Sequence, residues 1–238
     1  MSKIRVSAVS YTNTKPFIYG LKHSGILEKI DLSLDIPSEC ANKLINNQVD
    51  IGLIPVASLL NLPDYQIVSD YCIGARGEVN SVFIFSNKPI DEIKSIKFDT
   101  HSRSSNALAK VLLKNHWNTN PHASDNDCDA FVEIGDRTFG KKDKFPFVYD
   151  LAEEWMKFTE LPFVFAVWAA NKPIPEDFIF EFNSALKLGL LHRDKVIQQL
   201  QPHTNFDLDD YLRNKIDYDL SNSKRQALSL FLKLVKEL

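Results

Sequence analysis

Two apolar runs constrain this chain more than any other feature. Ser81-Val-Phe-Ile-Phe-Ser86 and Leu161-Pro-Phe-Val-Phe-Ala-Val-Trp168 each read as a buried strand, and a complete strand–helix rhythm lies between them. Strands and helices alternating along a chain bury their apolar faces as layered α/β units. A rhythm that runs, meets a long strand, restarts and closes on a second long strand predicts two α/β lobes joined by two crossovers, near 82–86 and 164–170. Lobe one then holds residues 1–82 with 167–238, lobe two holds residues 83–166, and a central ligand cleft lies between them.

Within the first rhythm, Ile4, Val6 and Ala8 alternate with Lys3, Arg5 and Ser7, the period of a strand. Pro16 then opens a helix through Phe17, Ile18 and Leu21, as a proline in the first turn does. Leu32, Leu34 and Ile36 mark a second strand. Ser38 is the expected N-cap of a helix that buries Ala41, Leu44 and Ile45. Residues 50–56 and 66–73 are further strands. In the second rhythm, a strand at 95–98 leads through a polar loop into a helix with Leu108, Val111 and Leu112 facing inward, followed by a strand at 129–135 and a helix at 151–158. From Pro175 onward the pattern reads as helix only, over 176–192, 194–201, 207–216 and 221–237, with Asp207 and Ser221 as caps.

Several function classes fall away. The formal charge of −3 and the lack of a long basic run speak against a nucleic-acid surface. Cys40, Cys72 and Cys128 are odd in number, widely spaced and without a C-x-x-C pair, so neither a disulfide framework nor a structural zinc site is expected, and each reads as a small buried hydrophobe. The longest apolar stretch, 161–170, is too short to span a membrane, and no charged-then-apolar leader precedes the first strand, so a cytoplasmic protein is expected. The six histidines show no metal-ligand spacing, and His101 reads as a solvated loop residue. No G-x-S-x-G, G-x-G-x-x-G or Walker loop occurs among only eight glycines, which argues against a hydrolase triad and a nucleotide cofactor. Glu153-Glu154 and Asp209-Asp210 read as solvated helix faces, and Trp155 and Trp168 as core.

Three loops remain that could face a cleft. Tyr11-Thr12-Asn13 lies between the first strand and the first helix, where open α/β sheets hold ligands. Ser102-Arg-Ser-Ser-Asn106 opens a helix whose free N–H groups suit a carboxylate or phosphate. Gly135-Asp136-Arg137 ends a strand, and its glycine admits close approach of a ligand. A Ser/Asn cluster ahead of a helix serves equally as a cap, and Gly-Asp is a common turn. Residue patterns alone thus give a two-lobed α/β protein with a polar, largely uncharged cleft for a small anion. They do not separate a binder from an enzyme.

Six segments taken in order carry a further signal. Val9-Ser-Tyr-Thr-Asn-Thr-Lys-Pro-Phe-Ile-Tyr-Gly-Leu21, Asp50-Ile-Gly-Leu-Ile-Pro-Val-Ala-Ser58, Ser102-Arg-Ser-Ser-Asn-Ala-Leu108, Ile134-Gly-Asp-Arg137, Tyr149-Asp-Leu-Ala-Glu-Glu-Trp155 and Leu161-Pro-Phe-Val-Phe-Ala-Val-Trp-Ala-Ala170 resemble the blocks of the chorismate dehydratase family. That family opens the futalosine route of menaquinone biosynthesis. The resemblance covers residues 4 to about 170 and implies a periplasmic-binding-protein-like (type II) fold, a cytoplasmic enzyme and no metal or organic cofactor. It implies loss of water from chorismate to give 3-[(1-carboxyvinyl)oxy]benzoate.

The family's active-site asparagine falls on Asn13 and its serine on Ser81. Ser104, Ser105 and Asn106 are then expected to hold a carboxylate, Gly135 and Asp136 to contribute groups from the far lobe, and Tyr11 and Thr12 to line the near side. Arg103 and Arg137 are open between substrate contacts and salt bridges. The chain departs from the family pattern at Thr12, where leucine is expected, at Asn47-Gln48, which lacks a glycine, and at Thr138-Phe139, which replaces a smaller pair. The alternatives are a non-catalytic solute-binding protein for a small organic anion and the sister enzyme acting on cyclic dehypoxanthinyl futalosine, which carries a Pro-Asn-Asp type loop unlike the one here. Oligomeric state is not legible.

Overall fold

The computed structural model describes residues 3–238 and contains two sheets. The first is built from β1 (Ile4–Val9), β2 (Ile30–Asp35), β3 (Ile51–Pro55), β4 (Gln66–Ala75), β10 (Phe163–Ala170) and β11 (Asp217–Asp219), in the order β11-β4-β10-β3-β1-β2. The second is built from β5 (Val82–Ser86), β6 (Ser95–Lys97), β7 (His122–Ala123), β8 (Ala130–Ile134) and β9 (Phe147–Asp150), in the order β7-β6-β8-β5-β9. In the first, β1 pairs in parallel with both β2 and β3. Each parallel step needs a crossover, supplied by α1 (Lys15–His23) and α2 (Pro37–Ile45).

The long apolar run 161–168 becomes β10, which lies antiparallel between β3 and β4 and has all eight residues buried. A strand covered on both faces has no need of polar alternation, which is why the run is continuous. The other long run becomes β5, paired on both sides within the second sheet. Trp168 presents its ring to the edges of Phe17 and Phe182, while Trp155 meets Phe163 and Phe231; both indoles are fully buried. The remaining long helices are α3 (Arg103–Asn115), α4 (Leu151–Thr159), α5 (Glu176–Leu191), α6 (Arg193–Gln199) and, after the short α7 (Leu208–Asp210), α8 (Asn222–Lys236).

Several expectations are corrected. Past Pro175 the chain is not all helix: Asp217–Asp219 pairs antiparallel with β4 as an edge strand. Its Asp-Tyr-Asp sequence carries no apolar alternation, and its partner is the fully buried Lys224, whose ammonium donates to the carbonyls of Asp217 (2.6 Å) and Asp219 (2.8 Å). The helix expected at 207–216 is three residues of α7 followed by a π-helical turn, Tyr211–Lys215. The N-cap of α2 is Ile36 rather than Ser38, because Pro37 occupies the first turn; the Ser38 N–H donates to the His101 carbonyl instead (3.1 Å). Glu154 is buried, not solvated, and accepts from Lys157 (2.8 Å) while lying 3.2 Å from His116. Cys128 is only half-buried, whereas Cys40 and Cys72 sit in the core with burial pushing each thiol up to about 12.

Asp50, at the start of β3, ties three segments together. Its carboxylate accepts from the Arg5 main chain (2.9 Å) and guanidinium (2.6 Å) and pairs with Lys172 at 2.7 Å. Those donors outweigh the burial of the group and hold its pKa well below the ordinary carboxylate range. Because the folded value lies below the unfolded one, the stabilisation is fully present above about pH 4 and is lost as pH falls through the folded value. Asp50→Asn therefore lowers the melting temperature at pH 7, and its gap from wild type narrows as the pH is lowered toward 3. A gap of constant size across that range would remove the ionised form from the account.

Candidate functional site

The three cleft-facing loops and the first crossover converge on one cavity between the two sheets, the setting of a small-molecule site. Its apolar wall includes Val9 at the end of β1, Pro55 at the end of β3, Ile73 on β4, Ile134 at the end of β8 and Phe165 on β10. Its polar groups are Tyr11, Asn13, Thr14, Ser81, Ser102 and Ser105, with Gly135 exposing main chain. None of the lining side chains carries a formal charge.

Asn13 sits in the 3-10 turn Thr12–Thr14 that joins β1 to α1. Its main-chain carbonyl accepts from the Tyr218 phenol (2.8 Å), and its side-chain oxygen accepts from the Thr14 hydroxyl (3.1 Å). Ser81 enters from the opposite side, immediately after Asn80, which is left-handed at φ 58°. The kink is fixed by the buried Asp150 carboxylate, which accepts from the main chain of Val79 (3.0 Å) and Asn80 (2.7 Å) and also caps α4 through Ala152 and Glu153. Burial pushes this carboxyl up to about 6 against the pull of its four N–H donors. Ser81 Oγ accepts from the phenol of Tyr211 at 2.9 Å.

Tyr11, Asn13, Ser81, Ser105 and Gly135 are thus brought together on the cavity. Thr12, Ser104, Asn106 and Asp136 are not among its lining. The Thr12 N–H (3.1 Å) and hydroxyl (2.9 Å) donate to the Asp136 carboxylate, a latch from the first sheet to the second. Burial raises the Asp136 carboxyl and the two Thr12 donors oppose it. Ser104 Oγ accepts from the Ala57 N–H (3.0 Å), and Asn106 clasps the main chain of Asp99 on both sides (3.0 and 2.6 Å). Ser102 is the side-chain cap of α3, accepting from the Ser105 N–H at 3.1 Å.

Both arginines have protein partners. Arg103 donates to Asn42 (2.6 Å), bridging the two sheets' helices, and Arg137 pairs with Asp99 (2.5 Å). His101 is not a solvated loop residue: its Nδ1 lies 2.8 Å from the Tyr11 phenol oxygen. That contact presses the Tyr11 ring onto Gly135, where φ is +67° and a Cβ atom would fall 2.7 Å from the ring. Tyr211, Tyr218 and Asp150 are not legible in the sequence as site residues. Asp150 with Glu153 does follow the cap-and-glutamate spacing of a helix start, but nothing in the sequence links it to Ser81. The two tyrosines lie in the tail, where the apolar pattern reads only as packing. Among the described residues no group of three or more metal-ligating side chains occurs, and no helix is long and apolar enough to cross a membrane.

Fold and cavity together define a two-sheet α/β protein whose polar groups meet between the sheets, the arrangement of periplasmic binding proteins. The alkanesulfonate-binding protein of Xanthomonas axonopodis superposes with a TM-score of 0.66 at 14% identity, covering 100% of this chain and 93% of that one. The chain belongs to the menaquinone biosynthesis family, which matches residues 4–237. Its relatives include the chorismate dehydratase of Campylobacter jejuni, 27% identical over 241 residues (97% of this chain, 96% of the relative). The chorismate dehydratase of Thermus thermophilus is 26% identical over 212 residues, 76% of this chain and 75% of the relative.

Proposed function

We propose that the protein dehydrates chorismate to 3-[(1-carboxyvinyl)oxy]benzoate, acting in the cytoplasm on the futalosine route to menaquinone. The observation that carries this reading is the meeting of Asn13 and Ser81, from opposite sides, on one cavity lined without formal charge. Family membership and the two chorismate dehydratase relatives support the substrate. The reaction takes place between a lobe of residues 1–82 with 167–238 and a lobe of residues 83–166. The two separate sheets support that division, although β10 carries the first sheet's pairing back to Phe163.

The chemistry asks little of the protein. A ring proton beside the enol ether leaves, its C–H electrons form the new ring double bond, and the neighbouring C–O bond breaks. The departing hydroxyl takes up a proton and leaves as water, and the ring becomes aromatic. An amide is no base at neutral pH, and Ser81 has no histidine beside it, so the protein's groups act as hydrogen-bond donors to the departing oxygen. The substrate's own side-chain carboxylate accepts the ring proton. The N-terminus of α3, with Ser105 on the cavity, supplies partial positive charge for a carboxylate. Apolar walls exclude water and hold the flexible side chain near the ring, which limits competing rearrangement.

Purified protein incubated with chorismate yields the aromatic product, read by mass and ultraviolet absorbance. Binding of chorismate without turnover would instead support a solute-binding protein. Turnover of cyclic dehypoxanthinyl futalosine alone would support the sister enzyme.

A further inference from the structure

We infer that Tyr211 is a positioning residue for the reaction: its phenol donates to Ser81 Oγ and thereby leaves the Ser81 hydroxyl proton to point into the cavity. The inference rests on the functional reading above and adds a residue that lies outside the cavity lining. A serine hydroxyl has one proton and two lone pairs. The 2.9 Å bond from Tyr211 occupies one lone pair, and no protein acceptor takes the Ser81 hydroxyl proton among the described residues. The serine is thereby held as a donor toward whatever fills the space it lines.

The phenol is built to stay a donor. Tyr211 is fully buried, and burial raises its pKa above the ordinary phenol value, so it remains protonated at any working pH. Its ring packs edge-on against both members of a stacked pair, Phe139 (5.4 Å) and Phe206 (5.2 Å), whose rings lie 3.7 Å apart, so it has little freedom to swing away. It is placed there by the π-helical turn Tyr211–Lys215, in which the Ile216 N–H reaches back five residues to the Tyr211 carbonyl (3.0 Å). Such turns are uncommon and recur at functional sites.

A double-mutant cycle on the full chain tests this, with Tyr211→Phe, Ser81→Ala and the pair assayed against wild type on chorismate. Phenylalanine keeps the ring and its aromatic neighbours and removes only the hydroxyl. Tyr211→Phe is expected to lower kcat about tenfold, the effect of one oriented hydrogen bond, with KM within about twofold. In the Ser81→Ala background the same change is expected to lower kcat no further, because the hydroxyl it orients is gone. Equal loss in both backgrounds would make Tyr211 merely structural and overturn the inference.

Fluorinated tyrosines at position 211 test the same point should Tyr211→Phe be recovered unfolded. Each added fluorine makes the phenol ionise at lower pH, and an ionised phenol cannot donate. The kcat–pH profile then gains an alkaline loss that moves to lower pH with each fluorine, and a profile indifferent to fluorination overturns the inference. Turnover by wild type with an unaffected Tyr211→Phe overturns this inference alone. An inactive wild type overturns the dehydratase reading and this inference with it.

Discussion

Replacing Asn13 by alanine is expected to cut chorismate turnover about a hundredfold, the loss that follows removal of one well-placed donor to developing negative charge. The melting temperature should stay close to that of wild type. The reason for the separation is structural. The main-chain carbonyl that Tyr218 grips survives the substitution, and the one hydrogen bond to the half-buried Asn13 side chain comes from the neighbouring Thr14 hydroxyl. What alanine removes is the carboxamide that faces the cavity beside Ser81. If the donor acts on the departing oxygen, the loss falls mainly on kcat; if it only holds the substrate, it falls on KM. Asn13→Asp sharpens the distinction, because a carboxylate there can accept but not donate and repels a dianionic substrate, so it should be at least as damaging as alanine. Wild-type turnover in Asn13→Ala would remove the residue from the mechanism.

That such a bet can be placed on one residue shows how unevenly the sequence discloses this molecule. Period-two and period-3.6 patterns expose β1, β3, β10 and the inward face of α3, because those elements are defined by which side chains they bury. The edge strand Asp217–Asp219 stays hidden because its partners are main-chain groups and the ammonium of Lys224, neither of which leaves an apolar rhythm. Loop residues behave the same way. Asn13, Ser81, Ser105 and Gly135 reach the cavity, while Thr12 and Asp136 bind each other and Asn106 binds main chain. A hydroxyl or carboxylate in a loop reads identically whether it faces a ligand or the opposite lobe. Tyr211 is silent for a different reason: its role depends on a phenol meeting a serine 130 positions away, and no local pattern encodes that distance.

Gly189→Ala should lower the melting temperature by roughly 6–12 °C, which for a chain of this size corresponds to about 3 kcal/mol. The sign is opposite to the ordinary expectation, since alanine in a helix interior is favoured over glycine by about 1 kcal/mol. Here α1 and α5 cross with almost no side chain between them. A Cβ at Gly189 would fall within the van der Waals envelope of the Pro16 carbonyl oxygen, and one at Gly20 would meet the Ala185 carbonyl in the same way. Both obstacles are main chain, so no rotamer change relieves them, and the helices must separate. A control separates crowding from backbone conformation. Gly25 has a left-handed φ of +81° but nothing within 4 Å of where a methyl would sit, so Gly25→Ala carries only the conformational cost of about 1 kcal/mol. The larger loss at Gly189 should also reach the chemistry. Pro16 lies in the first turn of α1, three residues after Asn13, so pushing that turn away from α5 moves the carboxamide relative to Ser81. Gly189→Ala should therefore lose kcat at temperatures where it is still fully folded. Equal melting temperatures for the Gly189 and Gly25 variants would show that the two helices are not locked at this crossing.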